Sequence, residues 1–197
     1  MSLTTGILLF NDAEELDWAG PWEVFTAATM VNAGDRVVTI AETMAPIRCA
    51  KGLRVLPDHS FADAPALDVV LVPGGHGTLR EVTNPVLLGW LRKTAARCTW
   101  VTSVCTGAQL LAEAGIAKGK RVTTHWSFIE VLRARGDVTV VERVRYVRDG
   151  NVVTSAGVSA GIDMALWLVG QIHGVDVARL IQKGIEYDPA PPYAADA

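Results

Sequence analysis

Two short segments of this chain are apolar at almost every position, and they constrain its fold more than any other feature. They are Thr5–Phe10 and Leu67–Val72, and a third strand-like segment, Thr99–Ser103, follows them. A strand with one solvated face alternates apolar and polar residues, whereas a strand of a parallel sheet is covered on both faces. Segments with helical spacing, such as 84–97 and 106–114, follow the second and third strands. The pattern predicts an α/β fold with a mostly parallel central sheet covered by helices on both faces.

The 197 residues are predicted to form a single domain. About half of them are apolar, which is enough for one large core. No repeat, low-complexity segment or linker divides the chain. The composition changes only after Tyr187, where Pro189, Pro191 and Pro192 follow, so residues 188–197 are expected to form a proline-containing tail on the surface.

Charge and hydropathy exclude several kinds of partner. The net charge is −3, and acidic and basic residues are interspersed without a basic block, so no nucleic-acid partner is expected. The longest apolar stretch, near 160–172, contains Asp163 and is shorter than the roughly 20 residues that a membrane span needs. The first residues enter a strand without a basic region or cleavage signal. These features predict a soluble, cytoplasmic protein.

The three cysteines, Cys49, Cys98 and Cys105, are too few and too scattered for a disulfide framework. No pair of cysteines or histidines has the spacing of a local metal site, so neither a metal nor another cofactor is expected. Each thiol is therefore either a core residue or a reactive group. Cys98 ends a helical segment and is interpreted as a packing residue.

Cys105 is predicted to be a catalytic nucleophile. It follows a buried strand and precedes a helix that opens with Thr106 and Gly107, and such a turn lifts a side chain above the carboxyl edge of the sheet. The dipole and free N–H groups of that helix are expected to lower the pKa of the thiol and favour the thiolate. The alternative is a buried structural thiol, which is the usual fate of a free cysteine.

A glycine-rich turn, Pro73–Gly77, follows the second apolar strand. Gly74 and Gly75 could present consecutive N–H groups to an anion, and His76 beside them could meet a substrate. Alone, the segment would be an ordinary tight turn from strand to helix. It gains weight because parallel strands would bring it to the same edge as Cys105, where such sheets bind ligands.

Asp17 is the candidate proton carrier. It stands between Leu16 and Trp18, in a loop that leads to a helix expected to begin at Pro21. Apolar surroundings would raise the pKa of its carboxyl group and let it hold a proton for transfer, although a helix N-cap is an equal alternative. Trp18 could line the substrate site or merely support it. His125 follows a short strand and is either a general base or substrate contact, or a hydrogen-bonded core histidine.

Taken together, these motifs resemble the ThiJ/PfpI superfamily of glutamine-amidotransferase-like proteins, and within it the isonitrile (isocyanide) hydratase subgroup. The resemblance covers essentially the whole chain. The same motifs occur in the first domain of certain AraC-type transcription regulators, which carry a helix-turn-helix module after it. The segments that carry the resemblance are Leu16–Pro21, Pro73–Gly77, Ser103–Gly107, Thr123–Trp126 and Thr154–Asp163.

The resemblance implies a flavodoxin-like three-layer α/β/α sandwich that forms a homodimer. It also implies that Cys105 is the nucleophile, that Asp17 is its acidic partner, and that Thr106 and Gly75 supply N–H groups around the sulfur. Protease-like members carry histidine directly after the cysteine. Thr106 stands there instead, which counts against peptide hydrolysis. No catalytic role follows for His125 from its position in a family motif.

Three functions remain open from the sequence. The leading hypothesis is hydration of a small-molecule isonitrile to an N-substituted formamide through a covalent thioimidate on Cys105, with Asp17 as proton carrier. A second is a glyoxalase or amidase that uses the same cysteine. A third is a small-molecule or redox-sensing module without turnover, because a low-pKa thiol oxidises readily.

Overall fold

The computed structural model describes residues 2–191 of the chain. Within this range the strands are β1 Thr4–Leu8, β2 Arg36–Ala41, β3 Ile47–Arg48, β4 Arg54–Val55, β5 His59–Ser60, β6 Val69–Val72, β7 Trp100–Val104, β8 Arg121–Val122, β9 Thr139–Val140, β10 Tyr146–Asp149 and β11 Val152–Ser155. The helices are α1 Glu15–Val31, α2 Thr78–Glu81, α3 Pro85–Ala95, α4 Gly107–Glu113, α5 Ile129–Ala134, α6 Ala160–His173 and α7 Val175–Gly184, with a 3₁₀ turn at Trp126–Phe128.

Seven strands form the central sheet in the order β10-β11-β7-β6-β1-β2-β5. All neighbouring pairs are parallel except β10 and β11. The register aligns Val72 of β6 with Ser103 of β7, and Val104 of β7 with Ser155 of β11. The carboxyl ends of these three strands therefore meet at one edge, where the residues that follow them come together.

Helices cover both faces of the sheet, as the apolar strands predicted. Helices α1, α6 and α7 pack against one another on one face, and α2 packs against α4 on the other, where the Arg92 side chain of α3 bonds the carbonyl of Ala114 just after α4. Every residue of β1 and β6 is buried. The architecture is the flavodoxin-like three-layer α/β/α sandwich that was expected, and its core includes Ile7, Leu71, Leu111 and Met164.

The first helix begins earlier than predicted. It starts at Glu15, so Pro21 lies inside α1 rather than in its first turn. Proline removes one helical hydrogen bond, a cost that burial offsets here. Trp18, Pro21 and Phe25 are all buried, and the ring of Pro21 packs against Gly161 of α6.

One predicted strand also differs from the structure, whereas the predicted tail is only partly described. The sequence pattern predicts a strand around Thr139–Val147, but the structure interrupts it: β9 pairs with β8 in a separate two-stranded sheet, while β10 joins the edge of the central sheet. The predicted tail is described only as far as Pro191: residues 188–191 form no helix or strand, and 192–197 lie outside the described residues. Across the described chain, no helix combines the length and apolar character of a membrane span.

Candidate active site

Cys105 occupies a strained turn between β7 and α4. Its backbone φ is 56°, in the left-handed region that a residue with a side chain seldom adopts. The neighbouring strand end holds it there: its N–H lies 3.2 Å from the carbonyl oxygen of Ser155 and 3.1 Å from that of Ala156. Its own carbonyl accepts a 2.8 Å hydrogen bond from the hydroxyl of Thr124. The strand-to-helix elbow predicted for this cysteine is therefore present, and strain of this kind typically costs about 1–3 kcal/mol.

Three hydrogen-bond donors act on the thiol of Cys105. They are the backbone N–H of Thr106, the hydroxyl of Thr106 and the backbone N–H of Val158, and each acts to lower the pKa of the thiol. Val158 also has left-handed backbone geometry, with φ 43°. These groups would stabilise negative charge on the sulfur when it forms.

Asp17 is fully buried in the first turn of α1. Its Oδ2 accepts a 2.8 Å hydrogen bond from the N–H of Gly74, while Oδ1 has no partner of good geometry among the described residues. Burial raises the pKa of the carboxyl group to about 7, with Glu14 adding to the rise and Gly74 and the Cys105 thiol opposing it. The helix N-cap position belongs to Glu14, so the alternative role considered for Asp17 is wrong.

The expectation that Cys105 rests as a thiolate is wrong in this structure. Burial raises the pKa of the thiol to about 12, and the negative charge of Asp17 adds to the rise, while the donors of Thr106 and Val158 oppose it. Helix α4 spans only seven residues, and its N-terminus does not outweigh removal of the sulfur from water. At neutral pH the thiol of Cys105 therefore keeps its proton, and the carboxyl group of Asp17 is protonated in a fraction of the molecules.

The glycine turn is built into the site rather than left open. The N–H of Gly74 is engaged by Asp17, and the N–H of Gly75 donates to Oγ1 of Thr106 over 2.9 Å. A side chain on Gly74 would lie 2.5 Å from the backbone nitrogen of Thr106 and 2.9 Å from Cβ of Cys105. Gly75 has φ 116°, which side chains rarely adopt. Both predicted anion donors thus bond Asp17 and Thr106, and neither N–H is free for a ligand in this conformation.

The remaining predicted site residues lie at different depths. Trp18 is a core residue, 8% exposed, and His76 is exposed on the turn. His125 is half-buried, its Nδ1 lies 2.7 Å from Oγ of Ser127, and a side chain on Gly157 would overlap its ring. Burial lowers the pKa of His125, which favours a neutral imidazole. No hydrogen bond joins any of these three side chains to Cys105 among the residues that the structure describes.

A groove of about 760 Å³ lies beside the turn that holds Cys105, although Cys105 itself does not line it. Val158, whose N–H points to the sulfur, and Thr124, which bonds the Cys105 carbonyl, both line it. Its rim carries Trp126, which is 80% exposed. The other lining residues are Thr123, His125, Ser127, Ile129, Glu130, Glu142, Arg143, Val144, Arg145, Ala156, Gly157 and Ser159.

The β3–β4 hairpin places a charged side chain, Lys51, near the carboxyl group of Asp17. Lys51 forms an ion pair with Glu14, and the N–H of Ala50 donates to the carbonyl of Ala13 over 2.9 Å. Glu14 raises the pKa of Asp17 and Lys51 lowers it. The two charges therefore have opposite effects on the pKa of Asp17.

Val158 and Thr124 are contacts that the sequence did not assign. Both lie in segments that follow short strands, so their position at the sheet edge was the available signal. The contacts themselves depend on how the β11–α6 turn folds over Cys105. Within residues 2–191 there is no cluster of three histidine, cysteine or acidic side chains that could hold a metal ion.

Several known proteins are similar to this chain in sequence and in fold. A family model described as the DJ-1/PfpI family matches residues 5–171. Isonitrile hydratase from Pseudomonas putida is 42% identical over 193 residues, covering 98% of this chain and 82% of that protein. The HTH-type transcriptional regulator CdhR from Pseudomonas aeruginosa is 35% identical over 133 residues, covering 68% of this chain and 39% of the regulator. The crystal structure of a ThiJ/PfpI family protein from Pseudomonas syringae superposes with a TM-score of 0.92 at 32% identity, covering 100% of this chain and 80% of that one.

Proposed function

This chain belongs to the DJ-1/PfpI family, and on that premise we propose that it is a cysteine-dependent hydratase that converts isonitriles to N-substituted formamides. The observation that carries the proposal is the buried pair of Cys105 and Asp17. A carboxyl group whose pKa is about 7 can both accept and donate a proton at neutral pH, beside a sulfur nucleophile. Similarity to the isonitrile hydratase of Pseudomonas putida supports the choice of substrate.

The burial of the sulfur favours a slender electrophile. Cys105 is only 6% exposed, so a reacting carbon must reach it without bulky groups on both sides. The terminal carbon of an isonitrile, R–N≡C, meets this condition because it is bonded only to nitrogen, and the substituent R lies on the far side of that nitrogen. We assign that substituent to the groove beside Val158, where His125 and Trp126 would contact it.

In the first half of the reaction, sulfur and a proton add to the same carbon. Ionised Asp17 takes the proton from the Cys105 thiol as the sulfur attacks the terminal carbon, and the S–C bond forms. Asp17 then delivers this proton to the carbon, whose electron pair accepts it. The product is a thioimidate, R–N=CH–S–Cys105, and the N–H groups of Thr106 and Val158 stabilise charge on the sulfur during attack.

In the second half, one water molecule releases the formamide. Asp17 accepts a proton from the water molecule as the water oxygen attacks the C=N carbon. Asp17 then passes this proton to the nitrogen. The C–S bond of the resulting R–NH–CH(OH)–S intermediate then breaks, and the electron pair returns to sulfur. The hydroxyl proton passes through Asp17 to Cys105 and restores the starting state. The net reaction adds one water to one isonitrile and requires only these side chains.

The two alternatives receive less support. A glyoxal-type aldehyde is also small enough to reach Cys105, so it remains a competing substrate to be tested directly. A redox sensor needs a thiol that ionises readily, whereas burial and Asp17 raise the pKa of Cys105. An amidase must bring a carbon flanked by two substituents to the sulfur of a residue that is only 6% exposed.

Turnover assays discriminate among these functions. The wild-type protein is expected to form the corresponding formamides from cyclohexyl and benzyl isonitrile, and Cys105→Ala is expected to lose at least about a thousandfold in kcat, because a nucleophile that forms a covalent intermediate is removed. Product is measured by mass spectrometry, and glyoxal consumption is followed in parallel.

Cys98→Ala is the matched control, since Cys98 is a second buried thiol and its Sγ bonds the carbonyl of Leu67 rather than a site residue. We expect this variant to keep its activity. Consumption of glyoxal without formamide production would replace the proposed substrate, and full isonitrile turnover by Cys105→Ala would refute the proposed nucleophile.

A further inference from the structure

Thr78, the first residue of α2, lies behind Thr106 and is fully buried. Its Oγ1 is 2.7 Å from the carbonyl oxygen of Gly75 and 3.1 Å from Oγ1 of Thr106. The Thr78 hydroxyl thus lies within hydrogen-bond distance of both the glycine turn, at Gly75, and Thr106, the residue after Cys105. Neither the sequence motifs nor the reaction described above gives this hydroxyl a role.

Counting hydrogens shows what the Thr78 hydroxyl does. Oγ1 of Thr106 accepts the N–H of Gly75 at 2.9 Å and lies 3.3 Å from the Gly75 carbonyl. A hydroxyl group has one hydrogen to donate. That of Thr78 goes to the Gly75 carbonyl, its nearer acceptor. This carbonyl also accepts the backbone N–H of Thr78 at 3.1 Å, so both of its lone pairs are used without Thr106. The hydrogen of Thr106 is then available to the sulfur of Cys105, which becomes the strongest acceptor within reach once it carries charge.

We propose that Thr78 is a positioning residue for the nucleophile: by donating to the Gly75 carbonyl, it leaves the Thr106 hydroxyl free to donate to ionised Cys105. Without the Thr78 hydroxyl, the Gly75 carbonyl keeps only the 3.1 Å hydrogen bond from the Thr78 backbone N–H, and its second lone pair is open to the Thr106 hydroxyl. The sulfur then loses one of its three donors.

Other groups act on the same sulfur and must be held constant in any test. Asp17 on α1 contributes negative charge, Glu14 acts on Asp17, and the N–H groups of Thr106 and Val158 donate from α4 and from the turn before α6. The hydrogen bonds of the Thr78 hydroxyl go to Gly75 and Thr106 only, within the part of the chain that the structure describes, while the Thr78 backbone bonds Gly75 and Val82. Its replacement therefore perturbs the sulfur through Thr106.

The test measures the ionisation of Cys105 in Thr78→Val, which keeps the shape of the side chain but removes the hydroxyl. The rate of Cys105 alkylation by iodoacetamide is followed from pH 7 to 9 by peptide mass spectrometry. Because only the thiolate reacts, loss of a hydrogen bond to a charged group is expected to slow alkylation by about tenfold at each pH. Thr78→Ser retains the hydroxyl and is expected to restore the wild-type rate.

Thr102→Val is the matched control, because Thr102 is equally buried and its hydroxyl donates to the carbonyl of Val70 over 3.0 Å, away from Thr106. It is expected to leave the alkylation rate of Cys105 unchanged. In a Thr106→Val background, Thr78→Val is expected to have no further effect, since the hydroxyl it positions is already absent.

The inference is overturned if Thr78→Val alkylates at the wild-type rate, or if it slows alkylation equally in the Thr106→Val background. It rests on Cys105 being the nucleophile of the proposed function, but alkylation needs no isonitrile. A protein that never hydrates isonitriles can therefore still show the Thr78 effect, and a working hydratase can lack it.

Discussion

At the scale of single residues, the site depends on two groups whose pKa values are raised by burial. Sequence reasoning predicted the raised pKa of Asp17 from its apolar neighbours in the chain, and the structure agrees. The same reasoning predicted a lowered pKa for Cys105, because a helix N-terminus is visible in the sequence. The depth of the sulfur and its contact with Asp17, 88 positions earlier in the chain, are properties of the folded molecule, and they reverse the direction.

The raised pKa of Asp17 makes stability depend on pH. The folded state binds this proton more tightly than the unfolded chain, for which the value is 3.8, so the stabilisation is complete below about pH 4 and is lost as pH rises to about 7. Asp17→Asn can still accept the Gly74 N–H but does not titrate. Relative to wild type, its free energy of unfolding is expected to rise by about 2–3 kcal/mol between pH 5 and pH 8.

Denaturant unfolding at the two pH values measures this difference. Asp176→Asn serves as the control, because the Asp176 side chain is 99% exposed and should leave the pH dependence of stability unchanged. If Asp17→Asn follows the wild-type pH dependence, the carboxyl group does not hold a proton in the folded state.

At the scale of elements, the packing of α1 against α6 sets the back of the site. Sequence periodicity located α1, but its start at Glu15 was missed because Pro21 resembled a first-turn residue. What the sequence could not reveal is that Gly20 and Pro21 lie against α6, whose first turn follows Val158. Close helix contact, rather than local propensity, keeps proline inside this helix.

Gly20→Ala tests this helix contact. An added Cβ would lie 2.9 Å from Cγ1 of Ile162, so the Ile162 side chain or α6 must shift, and the free energy of unfolding is expected to fall by about 1–2 kcal/mol. Gly89→Ala in α3 is the matched control, since nothing lies within 4 Å of its added Cβ. It is expected to gain up to about 1 kcal/mol from helix propensity. Both values come from urea unfolding, and a Gly20→Ala variant as stable as Gly89→Ala would contradict the proposed contact.

At the scale of the whole molecule, the parallel sheet brings distant segments to one edge. The sequence was sufficient to predict this, because uniformly apolar strands imply a covered parallel sheet, and parallel strands end together. It placed Cys105 and the glycine turn correctly side by side. It could not show that the N–H groups of Gly74 and Gly75 are used internally, since that depends on Asp17 and Thr106 arriving within 3 Å of them.

We also propose that the chain forms a homodimer, as its resemblance to the superfamily implied. Three leucines are each at least two-fifths exposed: Leu16 on α1, Leu53 in the β3–β4 hairpin and Leu56 after it. The N–H of Leu53 lies 3.4 Å from a carboxylate oxygen of Glu15, so the hairpin and α1 lie side by side and could form one apolar contact surface. Sedimentation velocity at micromolar concentration is expected to give a mass twice the chain's 21.1 kDa. A species with the mass of one chain across that range would contradict the proposal.

The central claim is that Cys105 forms a covalent bond with the isonitrile carbon while Asp17 carries the proton. Rapid acid quench during turnover, followed by peptide mass spectrometry, tests it most directly. The account predicts an adduct on the Cys105 peptide whose added mass equals that of the intact isonitrile, present in wild type and absent from the Cys49 and Cys98 peptides. Formamide production with no adduct on Cys105 at any quench time, and undiminished in Cys105→Ala, would contradict it.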